Sequence, residues 1–138
     1  NYEAFKNAFE KVVQETIDPE LLTPEIELDA EIDFSEITPK LVRILKQFEP
    51  FGPQNMTPVF VTQNVIDTGY PKFMGANEEH MRLFVKQNNS EGFAAIGFNL
   101  AHKKDLIANR NPFQMAYCID ENEWNGQLSL QLRIKDIQ

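Results

Sequence analysis

Cysteine is almost absent. Cys118 stands alone among 138 residues, which excludes an internal disulfide framework and a cysteine-based zinc cluster. A lone thiol suits a reducing cytoplasm, where we expect the protein to work. Histidine is nearly as scarce: His80, and His102 in the solvated-looking run His102-Lys103-Lys104. No P-loop, Gly-rich dinucleotide turn or nucleophile elbow is present. No apolar run approaches the ~20 residues that cross a bilayer, and Asn1 to Glu10 is too polar for a signal peptide. Repeats and low-complexity tracts are missing too. Positive charge is in deficit, 13 Lys and Arg against 21 Asp and Glu, for a net charge of −8. At first sight that disfavours nucleic acid. The first residue is not Met, an amphipathic pattern is already running there, and the last residue follows a strand-like run. We therefore expect a piece of a larger protein.

What is present is a core-forming composition, 42% hydrophobic, with charge unevenly spread. Residues 1–58 hold 12 acidic and 5 basic side chains; residues 59–138 hold 9 and 8. The second part is nearly neutral, so the placement of Lys and Arg decides what it binds. Phe5, Ala8, Phe9, Val12, Val13 and Ile17 recur at helical spacing, and Asp18-Pro19 ends that helix. Ile26, Leu28, Ala30 and Ile32 alternate with five acidic residues, which predicts a strand with one buried and one acidic face. Thr38-Pro39 is a helix cap with proline at the first position, and Leu41, Ile44, Leu45 and Phe48 form the stripe.

From Pro58 the period becomes that of strands: 59–68 with a bend before Phe73 and Met74, then 80–87, 92–98, 113–120 and 128–137. Residues 100–109 form a short helical connection, and Asn122–Gly126 is a turn. Five short strands with a helical insert between the third and fourth are the plan of an OB-fold barrel. The expected fold is thus mainly β with flanking helices: a five-stranded barrel over residues 58–138, preceded by a helix–strand–helix segment over 1–57.

The second strand carries the clearest functional signal. Met81, Leu83 and Val85 point one way; His80, Arg82, Phe84 and Lys86 point the other. Cations that hold phosphates beside a ring that stacks on a base are what a single-stranded nucleic-acid groove requires. The fifth strand repeats the pattern, with Leu128, Leu130, Leu132 and Ile134 inward and Ser129, Gln131, Arg133 and Lys135 outward. An ordinary amphipathic strand with Phe84 covered by a neighbour fits the same pattern. Pairing of strands two and five with the first strand would put both sets of charges on one surface. Trp124, in a Trp-Asn-Gly turn, either stacks on a base or plugs the rim. Phe73 lies near the turn after the first strand, so these two rings would flank the ligand path. The acidic residues of 25–33 would spread along ~26 Å of strand, which suits a solvated or docked face better than a metal site.

Several of these segments resemble the C-terminal OB-fold region of the RecJ exonucleases. Phe48-Glu49-Pro50-Phe51-Gly52-Pro53-Gln54-Asn55 followed by Pro58-Val59-Phe60 is similar to the segment leading into that domain. Glu123-Trp124-Asn125-Gly126 with Leu130-Gln131-Leu132-Arg133-Ile134-Lys135-Asp136-Ile137 is similar to its closing strand. His80-Met81-Arg82-Leu83 and Ala95-Ile96-Gly97-Phe98 resemble its middle strands. Met56-Thr57-Pro58 departs from the shorter family approach. The resemblance covers the whole chain and makes residues 1–17 the tail of a DHHA1 domain. It implies a parent that degrades single-stranded DNA from the 5′ end in repair and recombination. That parent uses Mn²⁺ or Mg²⁺ held by a DHH domain whose motifs are not found here. We therefore expect no catalytic residue, metal or cofactor in this chain. Expected partners are single-stranded DNA, the catalytic domains of the same protein, and repair proteins such as single-stranded-DNA-binding protein; no membrane is involved. The residues expected to bind DNA are Lys72, Phe73, His80, Arg82, Phe84, Lys86, Trp124, Arg133 and Lys135. The alternative role is a docking module packed on the nuclease core.

Overall fold

Alternation of apolar and polar residues forces strands here, and the longest alternating runs make the walls. The computed structural model describes residues 1–18, 21, 25–124 and 126–138, without the side chains of 123, 124, 127 and 128. The elements are α1 (Tyr2–Thr16), β1 (Ala30–Glu31), a 3-10 turn (Phe34–Glu36) and α2 (Pro39–Lys46). Then come β2 (Phe60–Asp67), β3 (Lys72–Met74), β4 (His80–Gln87), β5 (Phe93–Gly97), a 3-10 segment (Ala101–Arg110), β6 (Phe113–Trp124) and β7 (Gln127–Ile137). Pairing runs β2–β4–β5–β7–β6 and returns to β2, so five strands close a ring. β2 and β3 share one edge of β4, with Asp67 opposite Val85 and Lys72 opposite Arg82. They are one strand broken at 68–71. Gly69 takes φ +105° there, a conformation glycine adopts without a Cβ penalty. The buried Asp67 carboxylate fixes the bend, accepting from the Gly69 N–H (2.7 Å) and the Phe84 N–H (3.4 Å).

Three strand details differ from the sequence expectation. β7 pairs with β5 and β6, not with the first strand. β6 runs on to Trp124, so the hairpin turn is shorter than Asn122–Gly126. The strand expected at 26–32 shrinks to Ala30–Glu31, paired in parallel with Phe60–Val61. Ile26 and Leu28 are 41% and 46% exposed, so that segment has no buried face. Its inner side lies over an open cavity, and only Ile32, beside the 3-10 turn, packs against the core.

Met81, Leu83, Val85, Ala95, Leu132 and Ile134 line the inside of the ring. The core does not stop where the composition changes. Phe34 is 2% exposed, edge-on to Phe93 (5.3 Å) and Tyr117 (6.0 Å), and its burial contributes about 2–3 kcal/mol. Gln87 holds this plug, accepting from the Phe34 N–H at 2.9 Å and donating to Asp33 at 2.7 Å and to the Gln63 carbonyl at 3.0 Å. Thr62 Oγ1 donates to the Ile32 carbonyl at 2.7 Å and lies 2.8 Å from the Tyr117 hydroxyl. Thr38 caps α2, accepting from the Leu41 N–H at 3.3 Å. The buried position of α2 is Val42, with Leu41 and Leu45 half-buried; Ile44 and Phe48 stay exposed. A two-turn helix presents one narrow line to its support, and the Lys46–Glu121 ion pair (2.6 Å) fixes which line it is. α1 buries nothing: Tyr2, Phe5, Phe9 and Val12 are all exposed, with Phe5 and Phe9 stacked at 6.0 Å.

Candidate nucleic-acid interface

On a sheet, directly opposed residues share a face. The register sets Lys72 opposite Arg82, Arg82 opposite Ile96, and Ile96 opposite Arg133. This is one row across four strands on the outside of the ring. Arg82 and Arg133, two strand spacings apart, stand about 10 Å from each other at the backbone. The next row is Phe84, Ala94 and Gln131, and beyond it Lys86 faces Ile66. On the other flank His80 meets Phe98 edge-on at 5.3 Å. The outer face thus carries a cation row between two exposed rings, Phe84 at 46% and Phe98 at 52% exposure.

Each ring is held. A Cβ on Gly92 would overlap the Phe84 ring, so the ring packs closely against Gly92 while remaining 46% exposed. His80 Nδ1 accepts from the Asn99 N–H at 3.1 Å, which orients the imidazole against Phe98. Glu79, whose Oε1 is 3.8 Å from His80 Nε2, is an opposing charge at this flank. Its own N–H and that of Asn77 hold its carboxyl below the ordinary range. Lys72, Arg82 and Lys86 are exposed and, among the described residues, join no ion pair. Arg133 is different: half-buried, it pairs with Asp120 (Nε to Oδ2, 3.1 Å). Opposite it, Cys118 is fully buried, and burial pushes its thiol up against the pull of Lys135 and Arg133.

The structure therefore brings together Lys72, His80, Arg82, Phe84, Lys86 and Arg133. It does not bring Phe73 to them, and Lys135 comes only to the end of the row, where it and Arg133 both act on the Cys118 thiol. Phe73 sits opposite the buried Met81 and packs against the core, so its ring turns inward. Lys135 falls at the irregularity where Tyr117 pairs with Ile134 and Ala116 with Asp136, and it lines a different cavity with Ile26, Leu28 and His102. The Trp124 side chain lies outside the described residues. Phe98 was missed, although Ala94, Ile96 and Phe98 continue one alternation. Gly92 reads in the sequence as a strand start rather than a seat for a ring. Among the described residues no three His, Cys, Asp or Glu side chains converge as metal ligands. Among them, too, no helix is long and apolar enough to cross a membrane.

A closed five-strand ring with a helical link between its third and fourth strands defines an OB fold. The chain belongs to the RecJ OB domain family, whose model matches residues 28–136. It is 26% identical to the single-stranded-DNA-specific exonuclease RecJ of Escherichia coli K12 over 99% of its length, and 26% identical to that of Salmonella typhimurium LT2 over the same share. It spans 23% of the length of each of these relatives. A crystal structure of RecJ from Thermus thermophilus in complex with Mn²⁺ superposes over 99% of this chain and 19% of that one, with a TM-score of 0.67 and 22% identity. A Mg²⁺ complex of the same protein gives 0.66. The family match begins at residue 28 and so takes in β1, the Phe34 plug and α2.

Proposed function

We propose that the outer face of β3, β4, β5 and β7 binds single-stranded DNA and positions it for the catalytic part of a RecJ-type 5′–3′ exonuclease. One observation carries this: the row Lys72–Arg82–Ile96–Arg133 lies between the open rings of Phe84 and Phe98. Lys72, Arg82 and Lys86 contact phosphates; Phe84, seated on Gly92, takes a base; Phe98 with His80 takes another. Stacking of this kind tolerates any base. Arg133 contributes less charge because Asp120 already holds it. Trp124 is a further stacking position by its place in the sequence, and it is the only tryptophan, so quenching by oligo-dT reports on it alone. The relatives' names, single-stranded-DNA-specific exonuclease, support the substrate class. The chemistry, its Mn²⁺ or Mg²⁺, and a place in cytoplasmic DNA repair and recombination belong to the parent protein. Labelled DNA incubated with this chain and Mn²⁺ should stay intact.

The test is oligo-dT binding across a salt series. We expect dissociation constants of about 10⁻⁴–10⁻⁶ M near physiological salt and, for three phosphates, a log–log slope of about −2. No binding, or binding indifferent to salt, removes the reading.

A second reading, docking, rests on α1. Its exposed Phe5, Phe9 and Val12 form an apolar face that nothing in this chain covers among the described residues. In this proposal the face packs on the rest of the parent protein, and both roles coexist.

A further inference from the structure

The bend at 68–71 and the end of the 3-10 segment Ala101–Arg110 border an open cavity of about 490 Å³. Gly69, Tyr70, Phe73, Lys104 and Arg110 are among the residues that line it. The Arg110 guanidinium lies against Gly69, its Nε and Nη2 3.3 Å from where a Cβ would be. Asn109 and Arg110 both hold left-handed backbone, φ 55° and 56°. Two such non-glycine residues in succession are costly and are kept where a fold or a site needs them. Here they bring the chain back so that Arg110 reaches the bend. Neither Arg110 nor Lys104 joins an ion pair among the described residues. Two carboxylates share the wall, Asp67 and Asp105. Asp67 is buried and engaged with the N–H groups of Gly69 and Phe84, so the opposing charge nearer solvent is that of Asp105. Tyr70 is 82% exposed.

The cavity adjoins the proposed interface. Tyr70 precedes Lys72, the end of the cation row, by two residues, about 7 Å of extended chain. We propose that this trough is a second contact for the same single strand: it receives a nucleotide beyond Lys72, with the base on Tyr70 and the phosphate on Arg110 and Lys104. The site rests on the reading given under Proposed function and extends it from a sheet face to a path that turns the edge of β3. Its volume is within the range of small-ligand sites. The ligand class is a phosphodiester-linked nucleotide rather than a free one, because the cations and the ring continue an existing row.

The test compares fluorescence anisotropy of the full chain with labelled oligo-dT of about 4 and about 16 nucleotides, the limits of OB-fold site size. Tyr70→Ala should weaken binding of the long oligonucleotide about tenfold, the effect of one lost stack. Arg110→Gln should make its salt slope shallower by about 0.7, one phosphate contact on a single strand. The short oligonucleotide should be unchanged by either. Thermal unfolding of each variant checks the fold, and Lys104→Gln supplies an independent variant. If the long oligonucleotide is indifferent to all three while Arg82→Ala still weakens both lengths, the trough is no contact and the sheet reading stands. Equal losses on both lengths also overturn the proposal, since the trough would then not be an extension. If neither oligonucleotide binds the unaltered chain with salt dependence, both readings fall.

Discussion

The wall formed by β4, β5 and β7 has two faces built from neighbouring residues. Inside stand Met81, Leu83, Val85, Ala95, Leu132 and Ile134, all buried. Outside stand Arg82, Phe84, Lys86, Ile96 and Arg133, exposed or half-buried. The inner face offsets the entropy of folding through apolar burial. The outer face leaves three cations without an ion pair among the described residues and a ring half in water, an arrangement that gives the folded chain little. Stability and binding are therefore separable on this wall, and substitutions on its two sides should show different signatures.

The largest effect is expected from the plug that closes the inner face. Phe34→Ala should cost about 3–5 kcal/mol of stability in a denaturant titration. A loss within about 0.5 kcal/mol would show that the ring is complete without residues before 58.

The next concerns Tyr117, whose phenol burial pushes up to about 12, against the opposing effect of its hydrogen bond with Thr62. The raised value means that its stabilisation is full below the unfolded value near 10 and is lost as pH climbs through 12. Unfolding followed across that window should reveal a loss of about 3 kcal/mol, two pKa units. Tyr117→Phe should flatten this part of the profile.

On the outer face, Phe84→Ala should weaken oligo-dT binding by about 1–3 kcal/mol with little change in melting temperature. A fall in melting temperature with unchanged affinity would make Phe84 a packing residue on Gly92. The smallest effect is expected at α1, where Phe5→Ser with Phe9→Ser should alter stability by no more than about 0.5 kcal/mol, because neither ring is buried.

The two faces were not equally legible in the sequence. Alternation is local, so Met81, Leu83 and Val85 inside and Arg82, Phe84 and Lys86 outside could be read directly. The order of closure is not local. Strands two and five were expected beside the first; β4 does pair with β2, but β7 stands beyond β5, and the row exists because Ile96 links Arg82 to Arg133. Lys135 falls where a register shift interrupts the alternation after Ile134, so its place could not be read from alternation alone. Phe73 was misplaced because the bend at 68–71 begins a new strand, whose parity is set by its pairing with Met81. Phe34 gave no signal: a single ring among acidic residues acquires its role only from Gln87, Phe93 and Tyr117, far along the chain.

The most direct test of the central claim is the salt dependence of oligo-dT binding by the Arg82→Ala/Lys86→Ala double variant beside the unaltered chain. Each lost phosphate contact on a single strand changes the log–log slope by about 0.7, so the account predicts a slope shallower by about 1.4, weaker binding and an unchanged melting temperature. An unchanged slope and affinity would contradict it, because the cations of the outer face would then not touch DNA.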